Sequence, residues 1–336
     1  MPRSWILAPV LAGALAGCGG SSDVQIAKYD ATSFSIGTST SVTKIESSGA
    51  QERIIGQTDG LAFMSSVAAR GVVPYTNQLS PAEDIVADVN GDGDIVGYDS
   101  STTGGQVGLS GNQSSFLPNA LGFTLTTEYL RYFAVSADGI STGVIRYPAT
   151  GVATAFRHNG GGNTALTNFT DFSPQSIAGI NNAGKICGTG SVLTSTHAFM
   201  SVGTDLVDLG EGTARGMNEA GIVVGKNQNG RPYRTKDAGS STRTALPLLP
   251  GFTFGEALDI NSAGVVVGWQ SETELSPHVP VAWYTNGALV DLRSRINLLP
   301  AGVDLLDAVS ISDSGAILVQ GDQSGTPVGV ILRPSN

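Results

Sequence analysis

The chain has 336 residues, of which 14% are charged, with 45 glycines and a formal net charge of −10. So little charge beside so much glycine excludes a bundle of amphipathic helices and fits many short strands joined by turns. The acidic balance excludes nucleic acid as a partner, because phosphate binding needs a basic face.

At the N-terminus, Arg3 precedes an apolar run from Trp5 to Ala16 that is too short for a permanent membrane span. The run ends in Leu15-Ala16-Gly17-Cys18, which resembles the lipobox of bacterial lipoprotein signal peptides. The resemblance implies removal of residues 1–17 and lipid attached to Cys18. Residues 18–23, with Gly19-Gly20-Ser21-Ser22, then read as a flexible tether. Gly19 stands where inner-membrane lipoproteins often carry aspartate, so the resemblance implies an outer-membrane lipoprotein of the bacterial cell envelope. An ordinary secretory signal that happens to contain a cysteine is the alternative. Beyond the signal, no stretch could cross a membrane as a helix.

From residue 24 onward one pattern returns: an apolar residue, Asn or a substitute, two variable residues, Gly, then a β-branched run. Its clearest copies are Val89–Gly93, Ile180–Gly184, Met217–Gly221 and Ile260–Gly264, and its weaker ones are Val135–Gly139 and Ile311–Gly315. The faintest is Ile45–Gly49, with Ile54-Ile55-Gly56 after an insertion. Anchored on Gly49, Gly93, Gly139, Gly184, Gly221, Gly264 and Gly315, the intervals are 44, 46, 45, 37, 43 and 51 residues. A four-stranded propeller blade needs roughly 40 to 50 residues.

The motif chemistry is that of a turn. Asn-x-x-Gly suits a type I turn closed by a left-handed residue, with the Asn side chain bonding a backbone N–H two residues on. Asn261 and Gly264 therefore read as a hairpin corner rather than a ligand loop. A third strand follows most hairpins, as Leu61-Ala62-Phe63-Met64, Thr154-Ala155-Phe156, His197-Ala198-Phe199, Pro232-Tyr233 and Val281-Ala282-Trp283. Its small residue lets sheets approach while the ring fills the gap. A fourth strand ends in Asp-Leu at Asp208-Leu209 and Asp291-Leu292.

These residues look like the extracellular HAF repeat of bacterial envelope proteins, best between Ser176 and Leu292. The resemblance implies repeat β structure and no settled activity. The fold expected is all-β: a seven-bladed β-propeller of four-stranded antiparallel blades over residues 24–336. The C-terminus stops at a third strand, so residues 24–36 are expected to complete the last blade beside 328–333. An open solenoid or a ring of six or eight blades is the alternative. The only cysteine besides Cys18 is Cys187, which excludes an intramolecular disulfide framework and reads as a small buried hydrophobe.

Candidate chemistry is sparse. Asp88, Asn90, Asp92, Asp94 and Asp99 alternate on a Gly turn as calcium-loop oxygens do, although the same stretch is also a hairpin copy. His158, His197 and His278 lie in different copies, and no catalytic motif accompanies them. Asp88 and Asp259 share one repeat position, so they are either funnel acids meeting a polar ligand or solvated strand ends. The function expected is a lipid-anchored, monomeric, non-catalytic binding or scaffold module for an envelope protein or glycan. Variable loops at 99–115, 236–251 and 270–280 would choose the partner. The rival is a propeller enzyme acting on glycans. Three or more acids converging at one mouth of the funnel would favour it, and a poorly charged funnel would exclude it.

Overall fold

The computed structural model describes residues 27–335 apart from 36–37, 39, 49–50, 60, 69–76, 79–83, 91, 100–128, 148–149 and 160–161. Cys18, its tether and most of the 99–115 loop lie outside the described residues. What is described is all-β, with one 3-10 turn at Leu292–Arg295, and no helix long and apolar enough to cross a membrane.

Each motif copy is a hairpin, and six of them close with the same two bonds. In copy six the Gly264 N–H donates to the Asn261 carbonyl at 2.9 Å, and the Asn261 N–H donates to the Val265 carbonyl at 3.1 Å. Gly264 has φ +79°, the left-handed conformation in which glycine avoids the cost of a Cβ. The same pair of bonds recurs at Asn90, Ser136, Asn181, Asn218 and Ser312. The side chain differs from expectation in reach: Asn261 Oδ1 accepts from Val265, four residues on. Asn181 and Asn218 do likewise, and Asn90 accepts at both two and four residues on.

A β-bulge interrupts the first strand of every copy, just before the turn in copies two to seven and farther back in copy one, where residues 45–48 still pair beyond Lys44. It falls between Val42/Lys44, Val86/Asp88, Tyr132/Ala134, Ile177/Gly179, Ala214/Gly216, Ala257/Asp259 and Ala308/Ser310. Pairing across the hairpins therefore puts Lys44, Asp88, Ala134, Gly179, Gly216, Asp259 and Ser310 at one structural position. The bulge also explains the second glycine of the motif. A Cβ on Gly56, Gly143, Gly188, Gly225 or Gly268 would overlap the carbonyl oxygen of Ser41, Arg131, Ser176, Thr213 or Glu256 respectively. Copy seven has Val319 there, and carries a second irregularity between Leu305 and Asp307.

The hairpins extend into antiparallel sheets. Copy one comprises Thr40–Ser48, Gln51–Thr58, Leu61–Ala68 and Asn77–Gln78, and copy six comprises Phe254–Ile260, Val266–Ser271, Val279–Trp283 and Leu289–Asp291. Copy two is described as the pair Asp84–Val89 and Ile95–Asp99. Copies four and five share the strand Asp205–Met217, which is the last strand of one unit and the first of the next. In copy seven the partner of Thr326–Pro334 comes from the other end of the chain. Tyr29–Phe34 lies antiparallel to it, from Tyr29 opposite Pro334 to Phe34 opposite Gly329.

Apolar residues pack between successive units. Ile186 and Phe199 of copy four meet Ala134 and Ala155 of copy three, and Val224 of copy five meets Ala257 and Trp283 of copy six. Copies seven and one share a core as well, where Leu318 and Ile331 pack with Ile45, Ile54 and Phe63. The third-strand aromatics fill these gaps: Phe63 and Phe199 are fully buried, and burial of a ring this size contributes about 1.5–3 kcal/mol. Cys187 is buried in the core between copies four and five, and burial pushes its thiol pKa far up.

Candidate functional site

The motif turns gather around one cavity of about 190 Å³, and residues of all seven copies line it. Its ionisable groups are Lys44 and Glu46 of copy one, Asp88, Glu219, Asp259 and Asp313. The two candidate funnel acids thus face the same space, but neither is a solvated strand end. Asp259 is 5% exposed, and both its oxygens are engaged. Oδ1 accepts from the Ile260 N–H at 2.9 Å, and Oδ2 accepts from Ser310 Oγ at 2.6 Å and from the Ile311 N–H at 3.1 Å. Asp88 does the same in copy two, accepting from the Val89 N–H at 2.9 Å and the Val135 N–H at 3.0 Å. Each carboxylate staples its own hairpin to the first strand of the next.

The turn asparagines form a second circuit. Asn90 Nδ2 donates to the Ser136 carbonyl, Asn181 Nδ2 to Glu219, Asn218 Nδ2 to Asn261 and Asn261 Nδ2 to Ser312, all at 3.0–3.2 Å. One amide group closes its own turn with the oxygen and grips the next turn with the nitrogen. The exposed acids cap turns in the same direction: Glu219 accepts from the Asn182 N–H, and Asp313 from the Ser262 N–H and Oγ.

Lys44 is the one cation among the described residues that line the cavity. Its Nζ lies 3.4 Å from Glu46 Oε1 and 3.4 Å from Asp259 Oδ2. Burial works against its charge, yet Asp259, Glu46 and Asp88 hold its pKa above that of an ordinary amine. Glu46 occupies the turn-asparagine position of copy one. Burial raises its pKa to about 7, with Lys44 opposing and Asp88, Asp259 and Asp313 adding to the rise. Burial likewise raises Asp88. Sequence reasoning missed Lys44 and Glu46 because copy one is degenerate; counting back from the Gly56 pairing places them.

The calcium candidates are arranged as a turn. Asp88 is occupied by the two N–H groups above, and Asn90 Oδ1 accepts from Asp92 and Asp94 while its Nδ2 donates to Asp94 Oδ2 at 2.9 Å. The side chain of Asp99 lies outside the described residues. Among the described residues no three His, Cys, Asp or Glu side chains group as a metal site would require. The histidines stay apart: His197 Nδ1 lies 3.0 Å from Asp208, and His278 Nδ1 lies 2.6 Å from Asp307.

No protein-family model matches the sequence, and no curated protein matches it. Solved structures do. The chain is similar to an oligogalacturonate lyase in complex with manganese, at 10% identity over 92% of this chain and 97% of that one, with a TM-score of 0.54. It is similar to YCF48 from Cyanidioschyzon merolae at 13% identity over 91% and 99%, with a TM-score of 0.54. An oligogalacturonate lyase from Vibrio parahaemolyticus matches at 9% identity over 91% and 97%, with a TM-score of 0.52. These neighbours are β-propeller proteins, and at such identities the likeness is one of fold alone.

Proposed function

We propose that this chain is a closed, seven-bladed propeller of HAF-type repeats, tethered to the outer membrane through lipid on Cys18. Its proposed role is that of a non-catalytic module binding a protein or glycan of the envelope. Closure is supported at the seam, where copy seven meets copy one through the bonds used elsewhere. The Ile45 N–H donates to Ser310 Oγ at 3.3 Å, as that of Ile311 does to Asp259 and that of Val135 to Asp88. The Val42 N–H donates to Gln320 Oε1 at 3.1 Å, as that of Ala214 does to Thr189 Oγ1.

The observation that carries the non-catalytic reading is the commitment of the cavity acids. Asp88, Asp259, Asp313 and Glu219 each accept backbone N–H groups of the hairpins. Acid–base work needs a carboxyl within reach of the proton it moves. The staples hold these four against the backbone, and of the cavity carboxyls among the described residues Glu46 is left outside them. One observation favours the rival enzyme reading: five carboxyl groups do converge on one mouth. Against them stands one lysine, so the cavity repels an anionic uronide rather than neutralising it. The test incubates the protein with tetragalacturonate, with and without manganese, and follows the ultraviolet absorbance of unsaturated product. The expected result is no change, and product formation abolished by Glu46→Gln would replace this reading with the enzyme one. The anchor is tested by Cys18→Ser, which should release the protein from membranes.

A further inference from the structure

The strands run from the motif turns to loops on the opposite face, and there a groove of about 650 Å³ opens between copies five and six. Volumes of about 300–1,000 Å³ are usual for ligand sites. Trp269 and Phe254 of copy six form one wall, and Lys226 with the turn Asn227–Gly230 forms the other.

Trp269 is held flat. The His278 ring stacks on it at 3.7 Å between centroids and 3° between planes, and Asp307 pins His278 through a 2.6 Å contact. The Lys226 ammonium lies 5.9 Å from the indole centroid. Lys226 is itself fixed by Glu256, a carboxylate 3% exposed, whose Oε2 lies 3.1 Å from Nζ. Glu256 also accepts from Arg215 Nε at 2.6 Å and Thr213 Oγ1 at 3.0 Å. Against the burial that would raise it, Arg215 and Lys226 keep the Glu256 pKa below the ordinary carboxyl value. Across the groove, Asn227 Oδ1 accepts from Asn229 and Arg231 and fixes the turn, with Gln228 and Asn229 exposed at its tip.

The repeat does not explain Trp269. Counted from the second glycine, its position carries Gln57, Tyr98, Val144, Thr189 and Lys226 in copies one to five. The repeat needs no indole there, yet His278 and Lys226 flank this one and are themselves fixed by Asp307 and Glu256. A rigid aromatic surface facing amides and carboxylates matches a sugar, whose C–H face stacks on a ring while its hydroxyls bond the polar rim. Charge narrows the class. Glu256 offsets one of the cations Lys226 and Arg215, and the other is outweighed by Glu211 and Glu274, so the groove does not attract an anion. We infer that the groove between Trp269 and the Asn227–Gly230 turn binds a neutral oligosaccharide.

This inference rests on the reading of the chain as a binding module and assigns that module a site. Titration calorimetry of the whole chain with cellotetraose, chitotetraose and mannotetraose tests it, with tetragalacturonate as the anionic counterpart. At least one neutral probe should bind and outcompete tetragalacturonate. Trp269→Ala and, on the other wall, Asn229→Ala should each weaken it about tenfold or more. Trp269→Phe should restore most of the affinity, and Leu298→Ala, an exposed change elsewhere, should leave it unchanged. Silence from all three neutral probes overturns the inference, as does preference for tetragalacturonate. Sugar binding that survives both groove variants overturns the site while sparing the module. Turnover of a bound probe overturns the module itself.

Discussion

Lys44 Nζ and Asp259 Oδ2 lie 3.4 Å apart, joining the first and sixth motif copies across the cavity. The same oxygen takes the Ser310 hydroxyl and the Ile311 N–H, and Ser310 Oγ takes the Ile45 N–H beside Lys44. Copies one, six and seven are thus tied into one polar circuit. Asp259→Ala would strip three donors of their acceptor and leave Glu46 as the ion-pair partner of Lys44 among the described residues. Breaking a buried charged network from one side costs about 3–5 kcal/mol, so urea unfolding should show a loss of that order. A loss below about 1 kcal/mol, the level of a surface pair, would remove the staple from this account.

Glu46 makes stability depend on pH in a direction opposite to acid denaturation. Its pKa rises from 4.5 in the unfolded chain to about 7 in the folded one. Between those values the folded state holds the extra proton, so stability is full below pH 4.5 and falls as pH rises through about 7. Glu256, whose folded pKa is lowered, acts the other way, contributing above its unfolded value and losing that as pH falls. Between about pH 5 and 8 the wild type should therefore lose roughly 1–3 kcal/mol. Glu46→Gln should flatten the curve, and an unchanged slope in that variant would assign the effect elsewhere.

The turns were legible because Asn-x-x-Gly chemistry is decided within five residues, and the pairing of an N-terminal strand with Thr326–Pro334 was legible from the phase of the two ends. Asp259 was not. Its neighbours Ser310 and Ile311 lie some 50 residues away, and only the bulge at Leu258 turns its carboxylate toward them. Its acidity suggested solvent, whereas the backbone N–H groups of the next copy supply what water would. Lys44 escaped notice for a related reason: its role depends on a register set by Gly56, in a copy whose own turn residues have drifted. Trp269 escaped because its setting is made by three copies together, with Lys226 before it and Asp307 after it.

The asparagine circuit separates turn chemistry from packing between copies. In Asn218, Oδ1 closes its own turn on the Ile222 N–H, and Nδ2 donates to the Asn261 carbonyl. Asn218→Asp keeps the first bond and sets a carboxylate oxygen against the carbonyl in place of the second. A buried acceptor facing an acceptor costs about 1–3 kcal/mol. Thermal unfolding should show Asn218→Asp as destabilised as Asn218→Ala or more. If Asn218→Asp matches the wild type, the nitrogen contributes nothing between copies.

The strand Tyr29–Phe34 should be separable from the rest and replaceable. It covers the edge of Thr326–Pro334, and Phe34 lies so close over Gly329 that a Cβ there would overlap its ring. Tyr29 anchors the other end through its hydroxyl, 2.8 Å from that of Tyr284. A chain beginning at Ser35 would leave that edge and the apolar residues beneath it open to solvent and to other chains. Losing two buried aromatics should lower the melting temperature by on the order of 10 °C and bring on association. A synthetic peptide spanning residues 27–35 should restore both by adding itself as the missing strand. The same peptide with Phe34→Asp should fail, since its carboxylate would have to enter the core that Phe34 shares with Leu318 and Ile331. A truncated chain that melts like the full one, or that the Asp peptide rescues equally well, would show that the sheet of copy seven stands without its N-terminal strand.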